Sequence, residues 1–389
     1  MDSRYFASLL LHIMNDGTVF LLPSVLPLIV FEYGFSYITA GYISAIIPLC
    51  LGLFQTPVGR FSDRFSNSLL LRIGILIVGA GAASFYFPQV LILSLALIGI
   101  GGSFYHPVGY AYTSKIMKDS TSGTALGIQA SSGEIGTLAA FITAGPIAVL
   151  AGWRAVFVVW GIMSLATFLL ASFLLHDEPP PTVRPKSAPS NLSLLKTRPA
   201  ILIMVLFAIL GATYRIISNY LPSIFFLQGA DIILADVLSA LLIAMGIVGG
   251  IVGGRMVDRH NSRTVTLTLF GASALGLLGM YASPSLPITI LMVCVVGIAV
   301  TALYPIFYYL MKEATSVSIV GVSYGLLLSL GMLSGIISLM VGGYLIEFDP
   351  RLVFVFGALL TLLALVVSSQ IKPTNGRKQA CATPADRKF

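Results

Sequence analysis

VGRFSDRFSNS, starting at Val58, and GGRMVDRHNSR, starting at Gly253, are two copies of one pattern in this chain. Each copy has a Gly-Arg, two spacer residues and an Asp-Arg pair, and each follows a long apolar run. The copies lie about half of the 389-residue chain apart. A repeat at this distance indicates that the two halves of the chain arose by duplication.

The composition places the chain in a lipid bilayer. With 57% hydrophobic residues, 10% charged residues and a mean hydropathy of +0.96, most side chains cannot face water. A membrane-spanning helix needs about 20 apolar residues. Twelve such runs lie at residues 6–31, 37–58, 69–88, 90–112, 122–149, 153–175, 199–225, 233–254, 264–282, 286–310, 319–346 and 352–371. We therefore predict an all-α membrane protein with twelve transmembrane helices in two parallel six-helix repeats.

The distribution of basic residues predicts the orientation. If the first loop is external, every Lys and Arg lies in a cytoplasmic segment except Arg154, Arg351 and the intramembrane Arg215. By the positive-inside rule, both termini are then cytoplasmic. The net charge of +7 is accordingly a topology signal with lipid headgroups as counterions. Nucleic acid is not an expected partner, because the basic residues are scattered over short loops.

The duplication extends beyond the two loops and divides the chain. Pro27 and Gly34 near the end of the first span match Pro222 and Gly229 near the end of the seventh. A segment rich in Pro, Ser and charge separates the halves. We predict an N-terminal six-helix bundle at 1–175, a cytoplasmic linker at 176–198, a C-terminal six-helix bundle at 199–371 and a disordered cytoplasmic tail at 372–389.

The repeated Gly-x-x-x-Asp-Arg loop in a duplicated twelve-span chain resembles the major facilitator superfamily over essentially the whole sequence. Within it, the motifs HIMND from His12, FYHPVG from Phe104 and GIQASSGEIG from Gly127 look like the fosmidomycin-resistance type of drug exporter. The resemblance implies the major facilitator fold, with spans one, four, seven and ten around a central cavity. It also implies that the repeated loops control conformational gating. The matching gating residues are Gly59, Asp63, Arg64, Gly254, Asp258 and Arg259.

Ionisable groups within the spans are the candidates for energy coupling, because each one is costly in a bilayer. His12 and Asp16 lie four residues apart on one face of the first span, and Glu134 lies near the centre of the fifth. A carboxylate between apolar surroundings and a cation can bind a proton in one conformation and release it in another. We expect Asp16 or Glu134 to carry the proton, with His12 or His106 as a modulating partner. The alternative is that these groups form structural polar pairs that fix helix packing.

Arg215 is the leading candidate for substrate binding. It has no charged counterpart in the first repeat, where Phe20 takes the matching place. A guanidinium at this depth can bind a phosphonate or carboxylate bidentately; the structural alternative is a standing ion pair with Asp16 or Glu134. His106, Tyr105 and Tyr304 complete the predicted substrate-binding set. His106 alternatively satisfies a carbonyl that the following proline leaves unpaired.

The predicted function is secondary active transport of a small organic solute by alternating access, as proton-coupled efflux of a drug-like or anionic compound. The alternative is proton-coupled uptake of an anionic metabolite or metal chelate. A membrane-embedded enzyme is disfavoured, because the sequence has no zinc-protease, serine-hydrolase or nucleotide-phosphate motif. We expect no cofactor and no metal site, a small-molecule substrate and protons as partners, and a monomer in the cytoplasmic membrane of a prokaryote.

Overall fold

The computed structural model describes residues 2–62, 65–117, 119–175, 197–283, 285–315 and 320–371. The predicted gating residues Asp63 and Arg64, the linker segment 176–196 and the tail 372–389 lie outside the described residues. The described part contains helices and no strand. The α-helices are α1 (Ser3–Val19), α2 (Leu21–Tyr33), α3 (Tyr37–Ser62), α4 (Asn67–Ala83), α5 (Leu91–Gly102), α6 (Tyr105–Ile116), α7 (Asp119–Ala151), α8 (Trp153–Leu174), α9 (Arg198–Leu227), α10 (Ile232–Arg259), α11 (Ser262–Ala282), α12 (Leu286–Ala314), α13 (Val320–Phe348) and α14 (Leu352–Ser368).

The twelve predicted spans are all present as helices. In the described residues, eleven are long and apolar enough to cross a membrane, and the shorter apolar helix α14 takes the place of the twelfth. The first span, Ser3–Tyr33, consists of α1 and α2, and the fourth, Leu91–Thr113, includes α5 and most of α6. The predicted all-α fold with twelve transmembrane helices is confirmed.

The chain forms two compact units. One contains residues 1–187, 215–243 and 335–350, and the other contains 188–214, 244–334 and 351–389. The first unit therefore includes segments of α9, α10 and α13 together with the helices of the first repeat. The division at the linker remains a prediction, because these units are defined by packing and not by the sequence repeat.

The duplication is visible in how two equivalent helices end. Gly34 after α2 and Gly229 after α9 both have positive φ, 64° and 96°. In each case the next residue's N–H bonds to a carbonyl five residues earlier: Phe35 to Val30 at 3.0 Å and Ala230 to Phe225 at 3.1 Å. This is the left-handed glycine cap, which glycine adopts without a steric penalty. The matched glycines of the sequence thus make the same turn in both repeats.

Two helix breaks position the polar residues of the first unit. The first span breaks at Phe20, three residues before Pro23, which lacks the N–H that would bond to Val19. The fourth span breaks at Ser103 and Phe104. Pro107 then lies in the first turn of α6, where a missing N–H breaks no intrahelical bond.

Small residues bring α1 and α7 close together. A Cβ added at Gly136 would collide with the backbone of Ile13, and one added at Gly133 would collide with the side chains of His12 and Asp16. Close backbone approach at small residues is a common way for membrane helices to associate. In this chain it brings the polar face of α1 directly against α7.

Candidate functional site

Three of the predicted residues form a cluster in the first unit. His12 Nε2 lies 3.2 Å from Asp16 Oδ2, and His106 Nε2 lies 3.6 Å from Asp16 Oδ1. The two imidazole rings are 5.4 Å apart and nearly perpendicular. His12 is buried, whereas the side chains of Asp16 and His106 are 15% and 30% exposed. A single carboxylate thus lies between two histidines, one inside the protein and one nearer its surface.

The ring of His12 is fixed by neighbours on both edges and one face. Its Nδ1 lies 2.6 Å from the backbone carbonyl of Gln129 and 3.1 Å from Ser132 Oγ. Because a carbonyl can only accept, Nδ1 is inferred to carry a proton. Tyr105 stacks on the ring at 4.3 Å. The other nitrogen, Nε2, is buried without an aligned hydrogen bond and points towards Asp16.

A network of buried polar side chains next to His12 holds the residues that contact its ring. The hydroxyl of Tyr105 donates to the carbonyl of Ser8 at 2.7 Å, and the side-chain amide of Gln129 donates to Ser8 Oγ at 3.1 Å and to the Tyr105 hydroxyl. Thr113 donates to Gln129 Oε1 at 3.0 Å. All four side chains are buried. Tyr105 thus belongs to the network that holds His12, and its predicted contact with substrate stays a prediction.

Two further predicted residues are within electrostatic reach of this cluster. Glu134 interacts with Asp16 and His12, and Arg215 interacts with His106. Asp16 also accepts from the side-chain amide of Asn15 at 2.8 Å. The site therefore combines two carboxylates, two imidazoles and a guanidinium, which is the set of charges that the sequence singled out.

Arg215 lies beside a small cavity of the first unit. Its guanidinium lies over the ring of Phe20, 4.8 Å from the centroid, which is an attractive cation–π geometry. The cavity is also lined by Ser44 of α3 and by Ser218 and Asn219 of α9. Asn219 donates to Ser44 Oγ at 3.2 Å. Hydroxyl, amide and guanidinium groups around one cavity can together bind an oxyanion.

The structure places the other predicted residues in different surroundings. Tyr304 belongs to the second unit, where its ring packs against Phe207 at 5.5 Å and Tyr214 at 6.1 Å. Of the gating residues, Gly59 approaches Pro107 of α6, Gly254 has open space beside it, and Arg259 is exposed. Asp258 lies in α10, but its side chain lies outside the described part of the structure. Their roles remain predictions.

Asp236 is an ionisable residue that sequence reasoning missed. It lies in the second turn of α10, and its side chain is completely buried in the first unit. The signal was available, since the predicted span 233–254 contains this carboxylate three residues from its start. Charges near a span end usually reach water, and only tertiary contacts show that this one does not.

The ligand atoms of His12, Asp16 and His106 lie within 4.8 Å of one another, which is close enough for a cation to bridge them. Two imidazoles and a carboxylate also suit proton exchange, for which His is well adapted near neutral pH. The burial of His12 and the fixed Nδ1 contact determine which nitrogen faces the carboxylate. This geometry is suited to the exchange of a proton between His12 and Asp16.

Comparison with known proteins reveals similarity over nearly the whole chain. The profile of the Major Facilitator Superfamily matches residues 8–253 and 227–384. The Fosmidomycin resistance protein of Escherichia coli (strain K12) is 30% identical over 102 residues, which cover 25% of this chain and 24% of that protein. The match thus spans about a quarter of that curated relative.

Two solved structures share the fold. Both are of a bacterial homolog to the human lysosomal transporter Spinster in an inward-facing conformation, one occupied and one unoccupied. Their TM-scores are 0.83 and 0.79, each at 15% identity, and each alignment covers 94% of this chain and 95% of the other. At this identity the likeness shows the fold alone.

Proposed function

Because this chain belongs to the Major Facilitator Superfamily and is a secondary transporter that works by alternating access, we propose that it exports a small drug-like or anionic compound in exchange for protons. The observation that carries this proposal is the Asp16 carboxylate between His12 and His106. Transport requires that the proton and the substrate each change the relative stability of two conformations. The site contains a candidate group for each.

Asp16 is the proposed proton carrier. In the observed geometry His12 Nδ1 bonds to a carbonyl, so an attractive contact between Nε2 and Asp16 requires a proton on one of them. His106 and Glu134 are close enough to change how strongly that proton is held. Movement of α6 or α7 relative to α1 would therefore change proton affinity, which is what coupling requires.

Arg215 is the proposed substrate contact. Its guanidinium borders a cavity whose wall also offers Ser44 and Asn219, and it acts electrostatically on His106. An anion bound there would interact with the same charges that hold the proton. Competition between substrate and proton for one set of charges is a simple basis for exchange.

The export direction is supported by the partial likeness to a protein named for fosmidomycin resistance.

We also propose cytoplasmic termini, a monomer in a prokaryotic cytoplasmic membrane, and two six-helix bundles joined at the linker. The repeated loops, with Gly59, Asp63 and Arg64 in the first copy, are proposed to gate. Tyr304 is proposed as a substrate contact of the second repeat.

The test expresses the wild type, Asp16→Asn and Arg215→Ala in an efflux-deficient bacterium. Growth inhibition is measured with a panel of compounds that includes fosmidomycin, and membrane expression is quantified for each variant. We expect the wild type to raise tolerance and both variants to lose the increase. Glu313→Gln, which changes an exposed carboxylate in α12, is the matched control and should retain wild-type tolerance.

The mechanism is then tested in proteoliposomes with the purified full chain. An imposed pH gradient should drive transport of the active compound. The rate should be higher in the wild type and in Arg215→Lys than in Arg215→Ala. A chelator should leave the rate unchanged if protons alone are involved. If no compound changes growth and the liposomes instead accumulate an anionic metabolite or metal chelate inward, the efflux proposal is wrong and uptake replaces it.

A further inference from the structure

Asp236 has a buried carboxyl group that is not part of the proposed transport site. Its residue exposure is zero, and neither carboxyl oxygen has a hydrogen-bond partner among the described residues. The hydroxyl of Ser24 in α2 and the backbone of Gly145 in α7 lie beside it, but not in hydrogen-bond geometry. A buried polar group without a partner is rare and calls for an explanation.

The charge state of Asp236 follows from its neighbours. In their described parts, α2 carries Glu32 and Tyr33 and α7 carries Glu134, and none of the salt bridges among the described residues includes Asp236. An ionised carboxylate without a cation in such surroundings is strongly disfavoured, and the group takes up a proton instead.

Asp236 lies where a helix of the second repeat packs on helices of the first. A Cβ at Gly145 would lie 2.9 Å from Ile233 Cα and 3.2 Å from Asp236 Oδ2, so α7 and α10 are in close contact there. By the predicted topology, this contact between repeats, here called the outer seam, lies in the external half of the spans. Alternating access requires such a contact to separate so that the transport path opens outward.

We propose that Asp236 is a second proton site, which is protonated while the outer seam is closed and ionises when the seam opens. Separation of α10 from α7 would expose the carboxyl to water, where the charged form is stable. Removal of the proton then opposes reclosure, because the charge would have to be buried again. Higher external pH therefore favours the outward-open conformation, and this holds independently of the transported compound.

The proposal is tested on the full chain in nanodiscs by distance measurement between two spin labels. The labels replace Phe31 and Phe348, which are 84% and 77% exposed at the ends of α2 and α13, in a background without the three native cysteines. We expect the open fraction of the wild type to rise between about pH 5 and about pH 9, by at most about tenfold per pH unit for one linked proton. Asp236→Asn, which mimics the neutral form, should lose this part of the response and stay closed.

Asp231→Asn is the matched control. Asp231 precedes the same helix but is exposed, and an amide oxygen can still accept from Leu234 N. It should keep the wild-type pH response. Equal pH responses of Asp236→Asn and the wild type would overturn the proposal. Since no substrate is needed, failure of the efflux proposal would leave this result unchanged.

A second measurement does not depend on the folding of Asp236→Asn. Infrared spectra of the wild type should contain a protonated-carboxyl band that shifts in Ser24→Ala, because the Ser24 hydroxyl lies beside the Asp236 carboxyl. The shifted band should disappear at high pH. A wild-type spectrum with no protonated-carboxyl band would show that Asp236 is ionised and would exclude the proposed role.

Discussion

At the scale of single residues, the site depends on the missing side chain of a glycine as much as on charged groups. His12 and Asp16 can face α7 only because residue 133 is glycine. The ring of His12 is then held by the Gln129 carbonyl and by the stacked Tyr105. Positioning of this kind fixes which nitrogen of a histidine exchanges a proton.

The glycine requirement is testable with Gly133→Ala. The added Cβ would overlap both His12 and Asp16, and we expect a loss of about 1–3 kcal/mol of stability together with most of the transport activity. Thermal unfolding in detergent and transport in liposomes measure the two effects. Gly325→Ala, whose new Cβ would lie more than 4 Å from every described atom outside its own stretch of helix, should be neutral or slightly stabilising. Equal behaviour of the two variants would contradict the packing argument.

Two substitutions at Tyr105 distinguish a role in positioning His12 from direct contact with substrate. Tyr105→Phe keeps the ring that stacks on His12 and loses the hydroxyl bond to Ser8, which costs about 1 kcal/mol of stability. We expect its transport to have the wild-type pH profile. Tyr105→Leu removes the stack and should shift that profile. If both variants keep the profile but raise KM, Tyr105 contacts substrate instead.

At the scale of helices, breaks and caps place the site residues. The break at Phe20 allows its ring to lie under Arg215, and the break at Ser103 begins α6 just before His106. Gly34 and Gly229 end equivalent helices with the same left-handed turn. These turns direct the chain into the following spans in both repeats.

The left-handed glycine caps predict that two substitutions of the same glycine lower stability by different amounts. Gly34→Val forces a β-branched residue into the left-handed region and should cost about 1–2 kcal/mol of stability, whereas Gly34→Asn should cost less. The same order is expected at Gly229. Apart from the flanking residues, no atom in the described part of the chain lies within 4 Å of a Cβ at either glycine, so the loss reports backbone conformation. Thermal unfolding measures the order, and equal losses for Val and Asn would refute it.

At the scale of the whole molecule, the first compact unit joins parts of both repeats. The backbone N–H of Tyr37, at the start of α3, donates to the Glu347 carboxylate near the end of α13. The carbonyl of Tyr37 closely approaches Gly343, and Tyr220 donates to the carbonyl of Leu339 at 2.7 Å. By the predicted topology these contacts lie at the external side of the spans, and we expect them to hold that side closed.

Substitution of Glu347 is therefore expected to change the ratio of outward-open to closed protein. A carboxylate at a helix N-terminus is favourable by about 1 kcal/mol, so Glu347→Ala should raise the ratio of outward-open to closed protein roughly fivefold. Spin labels at the ends of α2 and α13 measure this ratio. Glu347→Gln retains an acceptor for Tyr37 N–H and should change the ratio less. An unchanged ratio in Glu347→Ala would show that this contact does not contribute to closure.

Sequence by itself determined the membrane environment, the twelve spans, the duplication and the family, because these follow from hydropathy and from motifs that are local in the chain. It also selected His12, Asp16, Glu134, His106 and Arg215, since charges inside apolar runs are conspicuous. Only the tertiary structure decided which of these meet. The Asp16 contact with His106 and the complete burial of Asp236 depend on helices distant in sequence, and the cost of a buried charge is set by those neighbours and not by its position along a span.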